Sequence, residues 1–424
     1  MSEETLPDGW KRIAFGEIAT RYYSGGTPAS GNAEYWGEGK PWTTSASIEE
    51  DAFILSSGSR LITERGVAES ASSVVPKGGL LVGTRVGVGK AVVAVTDIAI
   101  SQDLTGVSLA AEADALFLAF HFKGQALQAY FEGRKRGAII KGISRQDLSD
   151  ASILLPPLDV QRAIASVLWS VQDARDARRA ERAVEAERRA WLLDRLFTHG
   201  TRGEPVKDTE IGPIPKGWAT VELGDVASVT YGLTVNQLRH ISSHRRPYLR
   251  VANVCREGLR LDEVKEIGVL KGDERFALQR GDVLLVEGNG NPSLLGAAAI
   301  WKEEIPDALH QNHLIRARAD GRKLLPEMLV RFLNSKEGRG QIVGRSKTSN
   351  GLHTINSKIV KELRIPLPPL DEQAEIAEVL AACDAKLDAL DAEAARLDEL
   401  FRSLLDELMT GRRSAHALIA HSAA

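Results

Sequence analysis

The sequence has little cysteine and no long apolar segment, and both shortages narrow the class of protein. Cys255 and Cys383 are its only cysteines, which are too few for a disulfide framework and are not spaced as metal ligands. The most apolar stretch is interrupted by Arg85, Lys90 and Asp97, whereas a membrane-spanning helix needs about 20 apolar residues. The first residues also lack the basic and apolar regions of a signal peptide. These features predict a cytoplasmic protein without a membrane anchor.

The sequence also lacks the motifs of nucleotide, metal and methyl-donor sites. Residues 83–90 resemble a phosphate-binding loop, but that motif requires glycine where Thr84 lies and a hydroxyl side chain where Ala91 lies. His310 and His313 are closely spaced, but such histidines are more often polar surface residues than ligands. No catalytic activity is therefore predicted for this chain alone.

Charge is distributed unevenly along the chain. The net charge of −3 gives no overall basic character, which by itself argues against a nucleic-acid partner. Residues 371–409 carry 12 acidic and 3 basic side chains, whereas residues 159–197 carry 8 arginines and 7 acidic side chains. With these segments at −9 and +1, the rest of the chain has a net charge of +5. The globular regions are therefore moderately basic and compatible with DNA binding.

The chain contains an internal repeat. The sequence LPPLDVQRAIASVL at residues 155–168 returns as LPPLDEQAEIAEVL at residues 367–380, an offset of 212 residues. The openings LPDGWKRIAFGEIA and IPKGWATVELGDVA and the endings LLDRLFTHG and LLDELMTG repeat as well. The segments between these frames differ. A duplicated frame with divergent inserts predicts a protein that reads two different things at a fixed separation.

Each repeat is predicted to be a globular region followed by one long helix. Proline pairs end an extended segment, and Asp159 or Asp371 follows as a helix N-cap with Gln161 or Gln373 in the first turn. Strand-like runs such as GLLVGTRV and GDVLLVEG are bounded by turn residues. The predicted boundaries are 1–155 for the first globular domain, 156–200 for the first helix, 201–213 for a linker, 214–367 for the second globular domain, 368–410 for the second helix and 411–424 for a flexible tail.

Heptad periodicity predicts a coiled coil. In the second helix the a and d positions are an unbroken apolar series over residues 376–408. The equivalent positions of the first helix are apolar at both ends and charged in the middle. The charged positions are Arg175, Arg178, Arg182, Glu185 and Arg189. We expect the register of the first helix to slip there through Ala174, Ala177, Ala180 and Val184.

Pairing the two helices is the simplest way to cover their apolar stripes. A helix of about 40 residues is roughly 60 Å long, and neither helix can bury its stripe alone. Pairing would set the arginine-rich centre of the first helix against the acidic second helix. The predicted fold class is therefore α/β (α+β), with two globular domains in tandem and two long helices in an antiparallel coiled coil with pseudo-twofold symmetry. The alternative is two solvent-exposed helices that belong to separate domains.

Polar and basic clusters in the divergent inserts are the candidates for DNA contact. Arginine and lysine can bond guanine, asparagine and glutamine can bond adenine, and hydroxyl side chains suit phosphate. In the first insert they are Arg85, Lys90, Arg134, Lys135, Arg136, Lys141, Ser144 and Arg145. In the second they are Asn236, Arg239, His240, Arg245, Arg246, Asn289, Asn291, Gln311, Asn312, His313, Lys347, Asn350 and His353. For any one cluster the alternative is a solvated loop.

The repeated L-P-P-L-D-x-Q-x-x-I-A helix start carries a family resemblance, together with the P-x-G-W opening, GGTP…YW…PW, GDVLLVEGN and LHQNHLIR. The chain resembles the DNA-specificity (S) subunit of type I restriction–modification enzymes over nearly its whole length. The resemblance implies a non-catalytic specificity subunit with two target recognition domains. Each domain would read half of a split, asymmetric site in double-stranded DNA, and the two helices would act as a ruler between them.

The resemblance also implies partners. Two methyltransferase (M) subunits would dock on the helices and repeated frames, and restriction (R) nuclease-translocase subunits would join them. S-adenosylmethionine, ATP and Mg²⁺ would bind those partners and not this chain.

Two other classes of protein remain as alternatives. A coiled-coil scaffold or interaction protein without DNA specificity would explain the helices but not the divergent inserts. A free-standing modification enzyme would need methyl-donor and catalytic motifs, which the sequence lacks.

Overall fold

The chain divides into two compact units in the computed structural model, which describes residues 6–137, 141–292, 294–349 and 351–417. The first unit comprises Met1–Ala180 and Ala392–Ala424, and the second comprises Glu181–Asp391. Each unit therefore contains one globular region and a part of each long helix.

The first unit begins with mixed strands and short helices and ends in a long helix. Its strands are β1 Lys11–Ala14, β2 Ala19–Ser24, β3 Trp36–Thr43, β4 Ile54–Leu55, β5 Arg60–Ile62, β6 Ser73–Val75, β7 Leu80–Gly83, β8 Ala91–Ala94, β9 Ile98–Ile100, β10 Leu104–Leu109 and β11 Ser152–Leu155. Its helices are α1 Glu64–Ala68, α2 Ala115–Phe122, α3 Gln125–Glu132, α4 Arg145–Ser149 and the first part of α5 Leu158–His199. Short 3-10 helices lie at Phe15–Glu17, Ala33–Tyr35 and Ser45–Ser47.

The second unit has the same kind of composition. Its strands are β12 Val206–Thr209, β13 Gly212–Pro215, β14 Ala219–Glu222, β15 Ala227–Tyr231, β16 Arg245–Leu249, β17 Val254–Cys255, β18 Gly258–Leu259, β19 Lys265–Gly268, β20 Val283–Val286, β21 Gly288–Asn289, β22 Ala298–Ile300, β23 Leu309–His310, β24 Leu314–Ala319, β25 Lys347–Ser349, β26 Leu352–Thr354 and β27 Arg364–Leu367. Its helices are α6 Leu223–Val226, α7 Gln237–Ile241, α8 Pro326–Asn334, α9 Lys336–Arg345, α10 Ser357–Lys361 and the first part of α11 Leu370–Met409. Short 3-10 helices lie at Val251–Asn253 and Asp273–Phe276.

The sheets repeat between the units. The order β2-β10-β7-β8 in the first unit matches β15-β24-β20-β22 in the second, and β5-β3-β9 matches β19-β16-β23. Within the second pair of sheets, β3 runs parallel to β9 as β16 does to β23. A two-stranded pair, β1 with β11 or β14 with β27, closes each globular region before its long helix. The predicted α/β (α+β) class with tandem domains is confirmed.

The central strands are continuous apolar runs because both of their faces are buried. Strand β7 reads LLVG and strand β20 reads VLLV, and every position of both is buried. The apolar face of α2 covers the first sheet, and that of α8 covers the second. The strands predicted from GLLVGTRV and GDVLLVEG lie in these central positions.

A buried glutamine connects the first globular region to α5. Gln161 is fully buried, its side-chain oxygen accepts from the amide of Asp114 at 2.8 Å, and its side-chain nitrogen donates to the carbonyls of Glu112 at 2.9 Å and Pro156 at 2.8 Å. The side chain thus fixes the start of α5 against the segment that leads into α2. These hydrogen bonds explain why the repeated LPPLDxQ motif contains a glutamine.

The second unit has the same contact. Gln373, also fully buried, accepts from the amide of Leu325 at 2.8 Å and donates to the carbonyls of Lys323 at 2.8 Å and Pro368 at 2.9 Å. The three backbone groups lie in positions equivalent to those that Gln161 bonds. We call these two arrangements the glutamine clamps.

In the first unit, α5 and α11 pack antiparallel through ion pairs at their polar centre. Arg175, which is almost buried, bonds Asp398 at 2.6 Å and lies over the ring of Phe401 at 4.6 Å. Arg178 bonds Glu393 at 3.0 Å. Each arginine at a core position therefore has an acidic partner on the other helix.

The second unit continues this pattern. Arg182 bonds Asp391 at 3.1 Å, and Arg189 bonds Asp384. Seven residues forward in α5 thus correspond to seven residues backward in α11, as an antiparallel heptad pair requires. The buried side chains of α11, such as Ile376, occupy the predicted a and d positions.

The predicted slip of register in the first helix is wrong. Ala177, Ala180 and Val184 are exposed and Ala174 is only half-buried, whereas Glu185 at a core position is buried. The heptad register runs through the polar centre without a shift because the acidic residues of α11 neutralise the arginines. The alternative of two separate solvent-exposed helices is not what the structure shows.

Two predicted boundaries differ from the structure. Residues 201–213, predicted to be a linker, contain β12 and enter β13, which form an antiparallel hairpin. The predicted flexible tail is ordered over its described part, because Ala415 is buried in the core of the first unit and Arg413 pairs with Glu407 at 2.5 Å. The long helices themselves, 158–199 and 370–409, begin and end within two residues of the predicted limits.

Among the described residues, no helix combines the length and apolar character that a bilayer span requires.

A buried histidine lies in the core of the first unit. The ring of His121 stacks on that of Phe117 with centroids 5.6 Å apart, and its Nε2 lies 3.4 Å from the amide of Leu154. Burial lowers the pKa of His121 to about 4. The imidazole is therefore neutral in the folded protein at neutral pH.

The Gln161→Leu variant should lose stability, because three backbone groups would lose their partner, among them the buried carbonyl of Pro156. An unsatisfied buried polar group costs about 1–3 kcal/mol, so we expect a loss of roughly 3 kcal/mol in the free energy of unfolding of the first unit, measured by urea titration. Gln146→Leu, which changes an exposed glutamine of the same unit, should change stability by less than about 0.5 kcal/mol. Equal effects of the two substitutions would contradict the glutamine clamp.

The stability of the first unit should fall as the pH is lowered from about 6.5 to about 4. The unfolded histidine binds a proton first, because its pKa is higher than that of the folded one, so acid favours unfolding. The expected loss is roughly 3 kcal/mol over this range. His121→Phe should remove this share of the pH dependence, and His416→Gln, at an exposed histidine of the same unit, should retain it. Urea titrations at several pH values measure the difference, and an unchanged dependence in His121→Phe would refute the prediction.

Candidate nucleic-acid interface

Three segments meet where β7 ends in the first unit. The amide of Thr84 donates to the carbonyl of Asp103 at 2.9 Å, and the amide of Ile143 donates to the carbonyl of Thr84 at 2.8 Å. The third segment consists of residues 134–137 and 141–144, which are bridged at Arg136 and Gly142. We call these segments the first corner, which consists of residues 84–90, 101–103, 134–137 and 141–144.

The second unit has an equivalent corner where β20 ends. The amide of Glu287 donates to the carbonyl of His313 at 3.0 Å, and the amide of Ile355 donates to the carbonyl of Glu287 at 2.9 Å. Strands β25 and β26 form the hairpin, which also pairs with β21. We call these segments the second corner, which consists of residues 287–291, 311–313, 346–349 and 351–354.

The two corners occupy the same place in the repeated fold. Leu80 lies opposite Val107 in the first unit, as Val283 lies opposite Ala317 in the second. The strands that deliver the corner segments are therefore in the same register. The backbone connections match while the side chains differ, which is the arrangement expected of a duplicated frame that carries two binding specificities.

The first corner forms a basic groove. A cavity of about 280 Å³ is lined by Arg85, Lys90, Lys123, Lys135 and Lys141, together with acidic residues and glycines. A neighbouring cavity of about 450 Å³ shares Arg85 and adds Arg136 and Ser144. Five of the predicted cations thus converge, and we call this surface the basic groove.

The other predicted residues of the first insert lie beside the groove. Arg134 stacks over the ring of Tyr130 at 3.7 Å. Arg145 donates to the hydroxyl of Ser24 at 2.7 Å. Ser144 is the N-cap of α4, because its hydroxyl accepts from the amide of Asp147 at 3.0 Å. The hydroxyl of Ser144 therefore supports the helix start and is less suited to hold phosphate than we predicted.

The second corner presents amides and imidazoles on a small sheet. Asn289 lies opposite His353 in the β21–β26 pair, and Lys347 lies opposite Thr354 in the β25–β26 pair. The Nδ1 atom of His313 lies 2.7 Å from a carboxylate oxygen of Glu287.

Asn291, Gln311 and Asn312 complete this corner. The side-chain oxygen of Asn289 accepts from the amide of Asn291 at 2.9 Å. The amide of Gln311 donates to the carbonyl of Leu249 at 2.9 Å, which fixes the loop that carries both polar side chains. Asn291 is exposed, and Gln311 and Asn312 are half-buried.

The basic run after β15 lies on α7 and at the beginning of β16. Asn236 caps α7 by accepting from the amide of Arg239 at 3.2 Å, and His240 is an exposed residue of that helix. Arg245 donates to the carbonyl of Glu266 at 3.0 Å at the beginning of β16. Gln311 of the second corner contacts the other end of β16, at Leu249.

Arg246, at the beginning of β16, is also held there. It donates to the carbonyl of Asp307 at 2.7 Å.

The prediction that Arg239 contacts DNA is corrected. Its guanidinium is buried and bonds Asp273 at 3.0 Å, the carbonyl of Thr234 at 2.9 Å and that of Gly268 at 3.2 Å. The hydrogen bond between the two side chains lowers the pKa of the Asp273 carboxyl and raises the pKa of the Arg239 guanidinium. This arginine therefore connects α7 to the sheet from inside the unit. The predicted residue Asn350 lies outside the described residues.

Sequence reasoning missed Glu50 and Lys123, which line the basic groove from other segments. Nothing in the sequence pattern connects them with the first corner, because Glu50 precedes all of its loops and Lys123 lies at the end of α2, between two of them. Gln102, which accepts from the hydroxyl of Thr27 at 2.5 Å, is also missed. Its equivalence to Asn312 in the repeat was the signal that could have found it.

No group of three potential metal-binding side chains converges within the described ranges. His310 is buried, with Nδ1 at 3.0 Å from the carbonyl of Phe276, so it is not the surface residue that we expected.

Comparison with protein families gives a match over most of the chain. The profile described as the type I restriction modification DNA specificity domain matches residues 7–186 and again residues 215–399. The two matches correspond to the two copies of the internal repeat.

Individual relatives carry related names. The chain is 27% identical over 263 residues to the type I restriction enzyme MjaIX specificity subunit of Methanocaldococcus jannaschii, an alignment that covers 59% of each chain. It is 25% identical over 314 residues to the EcoKI specificity subunit of Escherichia coli, covering 70% of this chain and 66% of the relative. The chain thus spans less than two thirds of the length of these relatives.

Two solved structures share the fold. The type I restriction-modification S subunit from M. genitalium aligns with a TM-score of 0.60 at 15% identity, over 96% of this chain and 97% of the other. A chain from a study of complex assembly and conformational transition of the type I R-M system aligns with a TM-score of 0.57 at 18% identity, over 96% and 99%.

Breaking the buried pair of Arg239 should destabilise the second unit. Asp273→Asn leaves the guanidinium without its carboxylate, and the loss of one partner of a buried pair costs about 3–5 kcal/mol. Glu266→Gln, which removes the partner of the exposed Arg245, should cost less than about 1 kcal/mol. Urea unfolding of both variants tests the correction. Similar small losses in both would mean that Arg239 is available for other contacts.

Proposed function

We propose that this chain, which belongs to the family of type I restriction modification DNA specificity domains, is a non-catalytic specificity subunit that reads an asymmetric, two-part DNA site. Each corner reads one half of the site. Partner subunits then methylate adenine or cut the DNA at the places that this chain selects.

The equivalence of the two corners is the observation that carries the proposal. The three corner segments of each unit are joined by equivalent backbone hydrogen bonds, from Thr84 and Ile143 in the first unit and from Glu287 and Ile355 in the second. The side chains on these segments are free to differ because the backbone does not depend on them. Arginine and lysine in one corner and amides and imidazoles in the other offer different donors and acceptors to base edges.

The proposal includes the partners of the family resemblance. Two methyltransferase subunits bind the chain, one for each repeat, and restriction subunits join the complex. S-adenosylmethionine, ATP and Mg²⁺ act on those subunits. The duplicated frame supports two copies of the methyltransferase, because two equivalent surfaces on one chain can each bind the same partner.

A scaffold without DNA specificity is the competing function. It predicts no sequence preference and no dependence of DNA affinity on salt beyond that of an ordinary protein surface. A gel shift at several salt concentrations distinguishes the two, because phosphate contacts make affinity fall steeply with salt.

The two corners should control different halves of the modified sequence. The chain is expressed with its methyltransferase partner, and modified bases are mapped by sequencing the methylome. Arg136→Gln with Lys141→Gln should change or relax one half of the motif, because a good contact discriminates between bases by about 1–3 kcal/mol. Asn289→Ser with His353→Gln should change only the other half.

Exposed lysines outside the corners supply the matched control. Lys77→Gln in the first unit and Lys271→Gln in the second, both exposed, should leave the motif unchanged. Two identical half-sites, or a change in both halves after substitutions in one corner, would overturn the proposal.

A further inference from the structure

Two lysines of the basic groove share one carboxylate. Glu50 bonds the Nζ atom of Lys90 at 2.8 Å and lies 3.7 Å from that of Lys123. The lysine side chains are only 19% and 18% exposed, whereas that of Glu50 is 75% exposed. The carboxylate thus reaches from solvent to two cations that are largely withdrawn from it.

The glutamate is charged in this position. The hydrogen bond from Lys90 holds the pKa of Glu50 below its usual value, with further lowering by the charge of Lys123. A charged carboxylate offers two acceptor oxygens to the ammonium groups, as a phosphate group of DNA does. A competing anion can approach and displace it, because the carboxylate itself is 75% exposed to solvent.

The lysines are held in place without Glu50's carboxylate. Lys90 donates to the carbonyl of Ile48 at 3.2 Å, and Lys123 donates to the backbone carbonyl of Glu50. Their positions therefore depend mainly on backbone atoms, and the carboxylate can leave while the cations stay.

Glycines let the loop follow the lysine side chains closely. Gly87 and Gly89 have φ of +60° and +86°. A Cβ atom on Gly87 would lie 2.8 Å from the hydroxyl of Ser45 and 2.9 Å from Lys90, and one on Gly89 would lie 2.8 Å from Gln128. The wall of the groove therefore admits no side chain, which leaves the space beside the lysines for a ligand.

The groove as a whole favours an anion. Six cations line its two cavities, against the three carboxylates of Glu50, Glu132 and Asp147. The second corner has one lysine, Lys347, and one carboxylate, Glu287, so its segments have no excess of lysine and arginine over carboxylates. The first unit is therefore the place where a strongly charged ligand gains most.

We propose that the basic groove holds a phosphate of the DNA backbone and that Glu50 occupies this position in the free chain, so that DNA must displace it. The proposal rests on the DNA-binding function proposed above and adds the place of a phosphate and a built-in competitor. Because phosphate contacts carry no base information, Glu50 weakens binding to every sequence equally.

Removing the charge of Glu50 should strengthen binding to any DNA. The full-length Glu50→Gln chain is titrated with a fluorescent duplex of random sequence, and anisotropy gives the Kd at several salt concentrations. We expect Kd to fall by roughly three- to tenfold at low salt, because one repulsive charge about 4 Å from a phosphate is removed. Lys123→Met should raise Kd and reduce the magnitude of the salt slope by about 0.9.

The neighbouring Glu49 provides a control with the same change of charge. It is exposed and does not line the groove, so Glu49→Gln should change Kd by less than about twofold, since solvent and salt screen it. In a Lys90→Met, Lys123→Met background, Glu50→Gln should have no further effect. Equal effects of Glu49→Gln and Glu50→Gln, or weaker binding by Glu50→Gln, would overturn the proposal.

The failure of this inference is distinguishable from the failure of the proposed function. If the chain had no sequence specificity, the methylome would show no motif, while the anisotropy difference between the two glutamate variants could still be measured. If only the groove inference were wrong, the motif would remain and the two variants would bind alike.

Discussion

The glutamine clamps are the contacts on which the rest of each unit depends. Gln161 and Gln373 are fully buried, and each ties the first turn of a long helix to backbone groups before it and in the globular region. A buried amide in this role must make all of its hydrogen bonds, because the loss of any one would leave a backbone group unpaired. The direction in which each long helix leaves its globular region is therefore fixed by one side chain. The repeat of this residue in LPPLDxQ is a consequence of that geometry.

Charge complementarity between α5 and α11 stabilises the polar centre of the helix pair. The core positions of α5 hold Arg175, Arg178, Arg182 and Arg189, and each has an acidic partner on α11. An unpaired cation at such a position would be costly. The heptad register therefore continues through a region in which an apolar stripe is missing. Pairs of this kind also specify the antiparallel alignment, because any shift by one heptad would change which charges meet.

The sequence allowed prediction of the elements that depend on local or periodic patterns. The a and d positions of α11 follow from the heptad repeat, the central strands from apolar runs bounded by turn residues, and the helix starts from the proline pairs and N-cap residues. The register of α5 was wrong because local alanine spacing was weighed without the partner helix, whose acids decide it. Arg239 was misassigned because its partner Asp273 lies far along the chain. The lysine pair around Glu50 could not be predicted either, since residues from separate loops meet only in the folded protein.

The corners show how one repeated frame can carry two different sets of side chains. Main-chain hydrogen bonds join the corner segments, so substitutions there do not disturb the connections between strand, loop and hairpin. The conserved parts of the repeat, the clamp and the central strands, need specific side chains, and the corners need only a suitable backbone. Sequence can therefore diverge in the corners at little cost in stability. Because the resulting side chains differ in charge between units, the proposed function implies that phosphate contacts would contribute more to DNA binding at the first corner than at the second.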